Sequence, residues 1–132
     1  MKSKIDNSLL RVIDANLNRY KEGIRVVEDI HRYIYNNKEI GYKLKSLRHI
    51  NIPINIKELL NSRDSINDVL KSSIKSEQNR GNLENIIIAN IKRSQESARV
   101  LEEIFKLIDI NTSEKFKNNR YSLYNIEKVI FQ

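Results

Sequence analysis

The sequence predicts an all-α protein, a helical bundle built from two duplicated helical hairpins with pseudo-two-fold symmetry. Three observations predict it. Gly and Pro number three and one in 132 residues, too few to punctuate many strands. Apolar residues recur at helical spacing over long stretches. A pattern of residues that begins near position 15 returns near position 89. The chain fits one domain, 1–132, with repeat halves at about 8–50 and 82–131 and a connecting segment at 51–81.

The elements follow in order. Asp6 to Tyr35 reads as one long helix, with Asp6 or Ser8 available as its cap. Asn36-Asn37 breaks it, and Lys38 to about Ile50 forms the return helix. Asn51-Ile52-Pro53 ends that helix, because Pro removes a donor and restricts its neighbour. Ile54 to Leu60 reads as a short helix, and 61–81 as the least regular region. Asn82 to Leu107 is the third long helix. Asp109 to Ser113 reads as a turn, and Glu114 to Phe131 as the last helix. Short connections imply antiparallel neighbours.

The repeat is specific. Ala15, Asn16, Arg19, Glu22, Arg25, Val26 and Glu28 find identical residues at Ala89, Asn90, Arg93, Glu96, Arg99, Val100 and Glu102, an offset of 74. After a two-residue slip, Lys43-Leu44-Lys45-Ser46-Leu47-Arg48-His49 matches Lys115-Phe116-Lys117-Asn118-Asn119-Arg120-Tyr121. Each half is therefore a long helix followed by a shorter return helix.

On a helical wheel Asn16 falls in the middle of the apolar stripe of Ile13, Tyr20, Ile24 and Val27, with Gly23 beside it and Arg19 on the flank. Asn90 and Arg93 repeat the arrangement. An unsatisfied core-side amide costs about 1–3 kcal/mol, and a mid-helix Gly about 0.8–1.0 kcal/mol relative to Ala. Two readings account for these residues. Either Asn16 pairs with Asn90 while Glu22 and Glu96 neutralise Arg19 and Arg93, or these groups line a polar cavity between the hairpins and the arginines bind phosphate. Gly23 then reflects close backbone approach or ligand access.

The opposite helix face carries Asp14, Asn18, Arg25, Asp29 and Arg32. Here the halves differ, since Asp14 matches Ile88 and Asn18 matches Lys92. A duplicated scaffold with one active site breaks its symmetry somewhere, and these positions are candidates. The connecting segment adds Asn61 to Asp68, readable as an Asx-type surface turn or as a cover for a cavity. In the second case Arg63 contacts phosphate, and Asp64 or Asp68 ligates Mg²⁺.

Composition narrows the function classes. The net charge of +7 suits solubility, nucleic acid, an anionic surface or phosphorylated small molecules. The lysines are scattered and not interleaved with aromatics, which argues against nucleic acid. No Cys is present, so thiolate chemistry and disulfides are excluded. No run approaches the roughly 20 apolar residues of a membrane span, and Met1-Lys2-Ser3-Lys4 does not open a signal peptide. A cytoplasmic protein is expected. Phosphate-loop, dinucleotide and nucleophile-elbow glycine motifs are absent. His31 and His49 read as packing or surface residues.

The run from Arg11 to Arg19, with Glu22-Gly23-Ile24-Arg25-Val26-Val27-Glu28-Asp29, resembles the opening signature of a small helical family of thiamin biosynthesis. The resemblance continues through Leu47-Arg48-His49, Ser62-Arg63-Asp64, Asp68-Val69, Ala89-Asn90, Arg93, Gln95-Glu96, Arg99 to Glu103, Lys106, Arg120-Tyr121, Tyr124 and Glu127. It covers nearly the whole chain. The family is the second, non-ribokinase type of hydroxymethylpyrimidine-phosphate kinase, found alone or fused to thiamin-phosphate synthase. Leu70-Lys71 departs from its pattern, which has Gly and a small polar residue there.

The resemblance implies ATP-dependent phosphorylation of 4-amino-5-hydroxymethyl-2-methylpyrimidine phosphate to the diphosphate, with Mg²⁺ as cofactor. It implies a phosphorylated pyrimidine as ligand and thiamin-phosphate synthase as a protein partner; the scattered lysines and the lack of a long apolar run point to neither nucleic acid nor membrane. Asp14, Arg19 and Arg93 are then the catalytic candidates. Asn16, Asn18, Arg25, Arg48, Arg63, Asn90 and Arg120 are candidates for binding substrate or phosphate, and Glu22, Asp64 and Glu96 for metal. Two other classes stay open: a non-catalytic pyrimidine-phosphate module serving the synthase, and a helical interaction protein whose core-side polar groups are structural.

Overall fold

A computed structural model describes residues 5–132, the Ser76 side chain excepted, and the Met1-Lys4 stretch read for a leader lies outside them. Helix α1 spans Asn7–Asp29, and Asp6 caps it by accepting from the Ser8 amide. The chain stays helical past Asp29 but widens into a π turn over Ile30–Ile34. The break falls at Asn36, whose φ of 52° lies in the left-handed region that Asn tolerates better than most residues. Asn37 then caps α2, Lys38–Arg48, through its side chain to the Ile40 amide.

Helix α3, Ile56–Ser62, is capped by Asn55, and α4 is a single turn, Lys75–Gln78, inside the region expected to be irregular. Helix α5 spans Leu83–Phe105 with Asn82 as its cap. Helix α6, Ile110–Ile130, starts four residues before the expected Glu114. The residues read as a turn are its cap and first turn, because the Asp109 carboxylate accepts from the Thr112 amide. Helix α2 likewise ends at Arg48, short of Ile50, and α3 begins two residues late.

The two 23-residue helices α1 and α5 form the central pair. Helix α2 packs back on α1 and α6 on α5, as the two expected hairpins require. Helix α3 adds a further layer on α1. The core runs along the shared seam: Ile13, Tyr20, Ile24 and Val27 of α1 meet Ile87, Ile91, Leu101 and Phe105 of α5, closed by Leu44, Phe116 and Leu123. Tyr20 joins three elements. Its ring lies edge-on to Phe116, its hydroxyl donates to the Leu47 carbonyl at 2.7 Å, and it accepts from Asn119 at 2.9 Å.

Residues matched by the repeat make matched contacts. The Ser94 hydroxyl donates to the Tyr20 carbonyl across the seam, and these two positions are 74 apart. Glu28 accepts from Arg48 through both carboxylate oxygens, and Glu102 accepts two bonds from Arg120 on Oε1 alone. At the seam Gly23 is explained by close approach: an added Cβ would lie 2.7 Å from the Asn90 carbonyl oxygen and against the Ser94 hydroxyl. The helices meet there, so the expected cavity between the hairpins is not found at this point.

Candidate functional site

Helix α3 packs on α1 and brings the residue that caps its C-terminus, Arg63, over α1. Leu59 and Ser62 bury the inner side of α3, which fixes the direction of the residue that follows. The Arg63 guanidinium donates twice to Asp14, Nε to Oδ2 and Nη2 to Oδ1, each at 2.8 Å. Asp14 is buried, while the Arg63 side chain keeps 42% of its surface exposed. The two bonds and the charge of Asp14 raise the Arg63 pKa further above its ordinary value, and Glu22 adds to this. Asn18 stands one turn along and donates weakly to Asp14 at 3.5 Å. The result is an oriented guanidinium on a buried carboxylate, with one edge open to solvent.

The arrangement is one-sided. The position equivalent to Asp14 is Ile88, partly exposed, and the Asn18 equivalent, Lys92, is ion-paired with Glu127 of α6 at 2.9 Å. The symmetry break expected at Asp14 and Asn18 therefore coincides with a real difference in structure.

Other expected site residues fall elsewhere. Among the described residues Asn16 and Asn90 do not pair with each other. Each donates to the carbonyl four residues back in its own helix, Val12 at 2.9 Å and Ile86 at 2.8 Å. Arg48 and Arg120 were expected on phosphate, but their forks are engaged by Glu28 and Glu102. Arg120 spends its remaining terminal nitrogen on the Tyr124 hydroxyl at 3.1 Å. Arg25 pairs with Asp29 on the surface. Arg19 and Arg93 are exposed, and no ion pair joins either to Glu22, to Glu96 or to any other acid among the described residues. The neutralisation expected for them does not occur, and both remain free cations.

Among the described residues the expected metal set does not gather into one cluster, and no group of three or more His, Cys, Asp or Glu side chains converges. Glu22 and Glu96 are exposed. Asp64 accepts from the Asn67 amide and from its side chain at 2.8–3.2 Å, and these bonds hold its carboxyl below the ordinary range. That is the Asx turn the sequence allowed. Asp68 does the same for the Leu70 amide at 3.0 Å, so Leu70-Lys71 is accommodated in an ordinary turn.

The family model of the ThiD2 family matches residues 11–129. The chain belongs to the ThiD2 family. Curated relatives named thiamine-phosphate synthase are similar over nearly all of it. The protein from Nostoc punctiforme is 32% identical over 127 residues, 96% of this chain and 36% of the relative. That from Synechocystis is 35% identical over 128 residues, 96% and 37%. That from Prochlorococcus marinus strain AS9601 is 36% identical over 123 residues, 92% and 35%. The chain thus spans little more than a third of the relatives' length. No solved structure matches it.

Within this ThiD2 domain two structural residues carry no assignment from the sequence, Glu28 and Glu102. Both are nearly inaccessible, at 1% and 4%. The signal that finds them is the repeat itself, because acid and arginine recur together in both halves. Among the described residues no helix is long and apolar enough to cross a membrane.

Proposed function

We propose that this chain phosphorylates 4-amino-5-hydroxymethyl-2-methylpyrimidine phosphate to its diphosphate, with ATP as donor, in thiamin biosynthesis. The observation that carries this reading is the one-sided Asp14–Arg63 pair in a ThiD2-family chain. Family membership and relatives named for a thiamin-phosphate synthase, which would consume that diphosphate, support the substrate class.

An oxygen of the substrate's phosphate attacks the γ-phosphorus of ATP. The bond from that phosphorus to the β,γ-bridging oxygen breaks, and ADP departs with the electron pair. A phosphate monoester has a second pKa of about 6, so the nucleophile is already ionised at neutral pH. The reaction needs no protein base. It needs positioning and charge neutralisation.

Arg63 is held in place for that task by Asp14, which acts as a positioning residue and not as a contact for phosphate. The free cations Arg19 and Arg93 are candidates for binding the remaining phosphate oxygens. Magnesium enters on the nucleotide as part of that substrate.

Purified protein, the monophosphate and magnesium-ATP are expected to give the diphosphate and ADP in equal amounts, read by mass spectrometry. Folded protein that is thermally stabilised by the monophosphate, yet yields no diphosphate, would assign a non-catalytic binding module instead.

A further inference from the structure

We propose a second anion-binding site, which takes a phosphate or polyphosphate group carried on an aromatic body. It lies at the other end of α1 from Asp14, about 20 Å along the helix at 1.5 Å per residue. A cavity of about 430 Å³ opens there between the π turn and α2. Arg32, Lys38 and Lys45 line it. None of the three has an ion pair among the described residues. The lining's one acid, Glu28, is already neutralised by Arg48 at 2.7 Å. Three uncompensated cations around one opening repel one another, and an anion placed among them relieves that repulsion.

The surroundings favour a defined site over a diffuse basic surface. Arg32 lies over the Tyr33 ring at 4.9 Å, which orients its guanidinium. Gly41 leaves the wall open, since a Cβ there would meet nothing nearer than the Arg32 Cβ at 3.8 Å. Tyr42 is shared between this cavity and a neighbouring groove of about 340 Å³, where Ile40, Leu47, Ile126 and Val129 supply an apolar wall. An anionic group among the cations therefore has room for an attached ring across Tyr42. The inference is independent of the kinase reading, which rests on the Asp14–Arg63 end.

The test is an amide NMR titration of the full chain with pyrophosphate and, separately, ATP. Saturable shifts are expected at Arg32, Asn36 and Lys38, with ATP binding more tightly than pyrophosphate. Arg32→Gln/Lys45→Gln changes exposed side chains and is expected to weaken both ligands about tenfold or more at these amides. Tyr42→Ala is expected to weaken ATP alone, and Arg63→Ala to leave these shifts unchanged. Should the double variant lose its fold by circular dichroism, Lys38→Gln is the substitute. Absence of saturable shifts here, or equal affinity in the charge variants, would overturn the site. ATP binding no tighter than pyrophosphate would overturn the aromatic part.

Discussion

Gly23 and Gly41 have the same helical environment by sequence and opposite packing. At Gly23 an added methyl meets the Asn90 carbonyl at 2.7 Å, backbone that cannot step aside. Gly23→Ala is expected to destabilise the fold by about 1–3 kcal/mol, despite the better helix propensity of Ala. At Gly41 the nearest atom lies at 3.8 Å, so Gly41→Ala is expected to stabilise by about 0.8–1.0 kcal/mol. Urea unfolding of the two variants checks both signs. Glu102→Ala leaves the buried Arg120 without its carboxylate and is expected to cost about 3–5 kcal/mol, whereas Glu102→Leu with Arg120→Met is expected to recover most of it. These residue-level facts were only partly legible. The wheel put Asn16 and Asn90 on a core face correctly, but could not show that a carbonyl four residues back satisfies each amide.

At the scale of elements, the turn between α1 and α2 is the most constrained connection. Asn36 holds a positive φ, and the Asn37 amide reaches back to the His31 carbonyl at 2.7 Å. Asn36→Gly is expected to leave the melting temperature unchanged or slightly raised. Asn36→Ile is expected to lower stability by about 1–2 kcal/mol, because a β-branched residue resists that conformation. Helix existence was readable from periodicity and caps. The π turn was not, because it preserves the apolar pattern while widening the backbone, and the start of α6 was missed because Asp109 and Thr112 resemble turn residues until their capping bond is seen. Asp14 lies on the α1 face opposite the apolar stripe and is nonetheless buried, with Arg63 at the end of α3 bonded to it, a tertiary partner that no periodicity in α1 encodes.

The whole molecule divides into a tightly packed two-hairpin frame and a connecting segment that leans on it. Ile66, Val69 and Leu70 are each more than three-quarters exposed. Limited proteolysis is expected to cut first between residues 64 and 80 and to leave the α1–α5 pair associated, which mass spectrometry of the nicked product would show. The frame was legible because its repeated Glu and Arg positions carry the same interaction in each half. The candidate site was less so, because it is where the halves stop matching: Asp14 faces Arg63, while Ile88 faces none of that chemistry. We propose that this one-sided pair serves phosphoryl transfer. The most direct measurement is the initial rate of diphosphate formation by Arg63→Ala beside Lys92→Ala, its control at the equivalent face of the other half. A loss of about a hundredfold or more is expected for Arg63→Ala and a near-native rate for Lys92→Ala. A native rate in folded Arg63→Ala would contradict it.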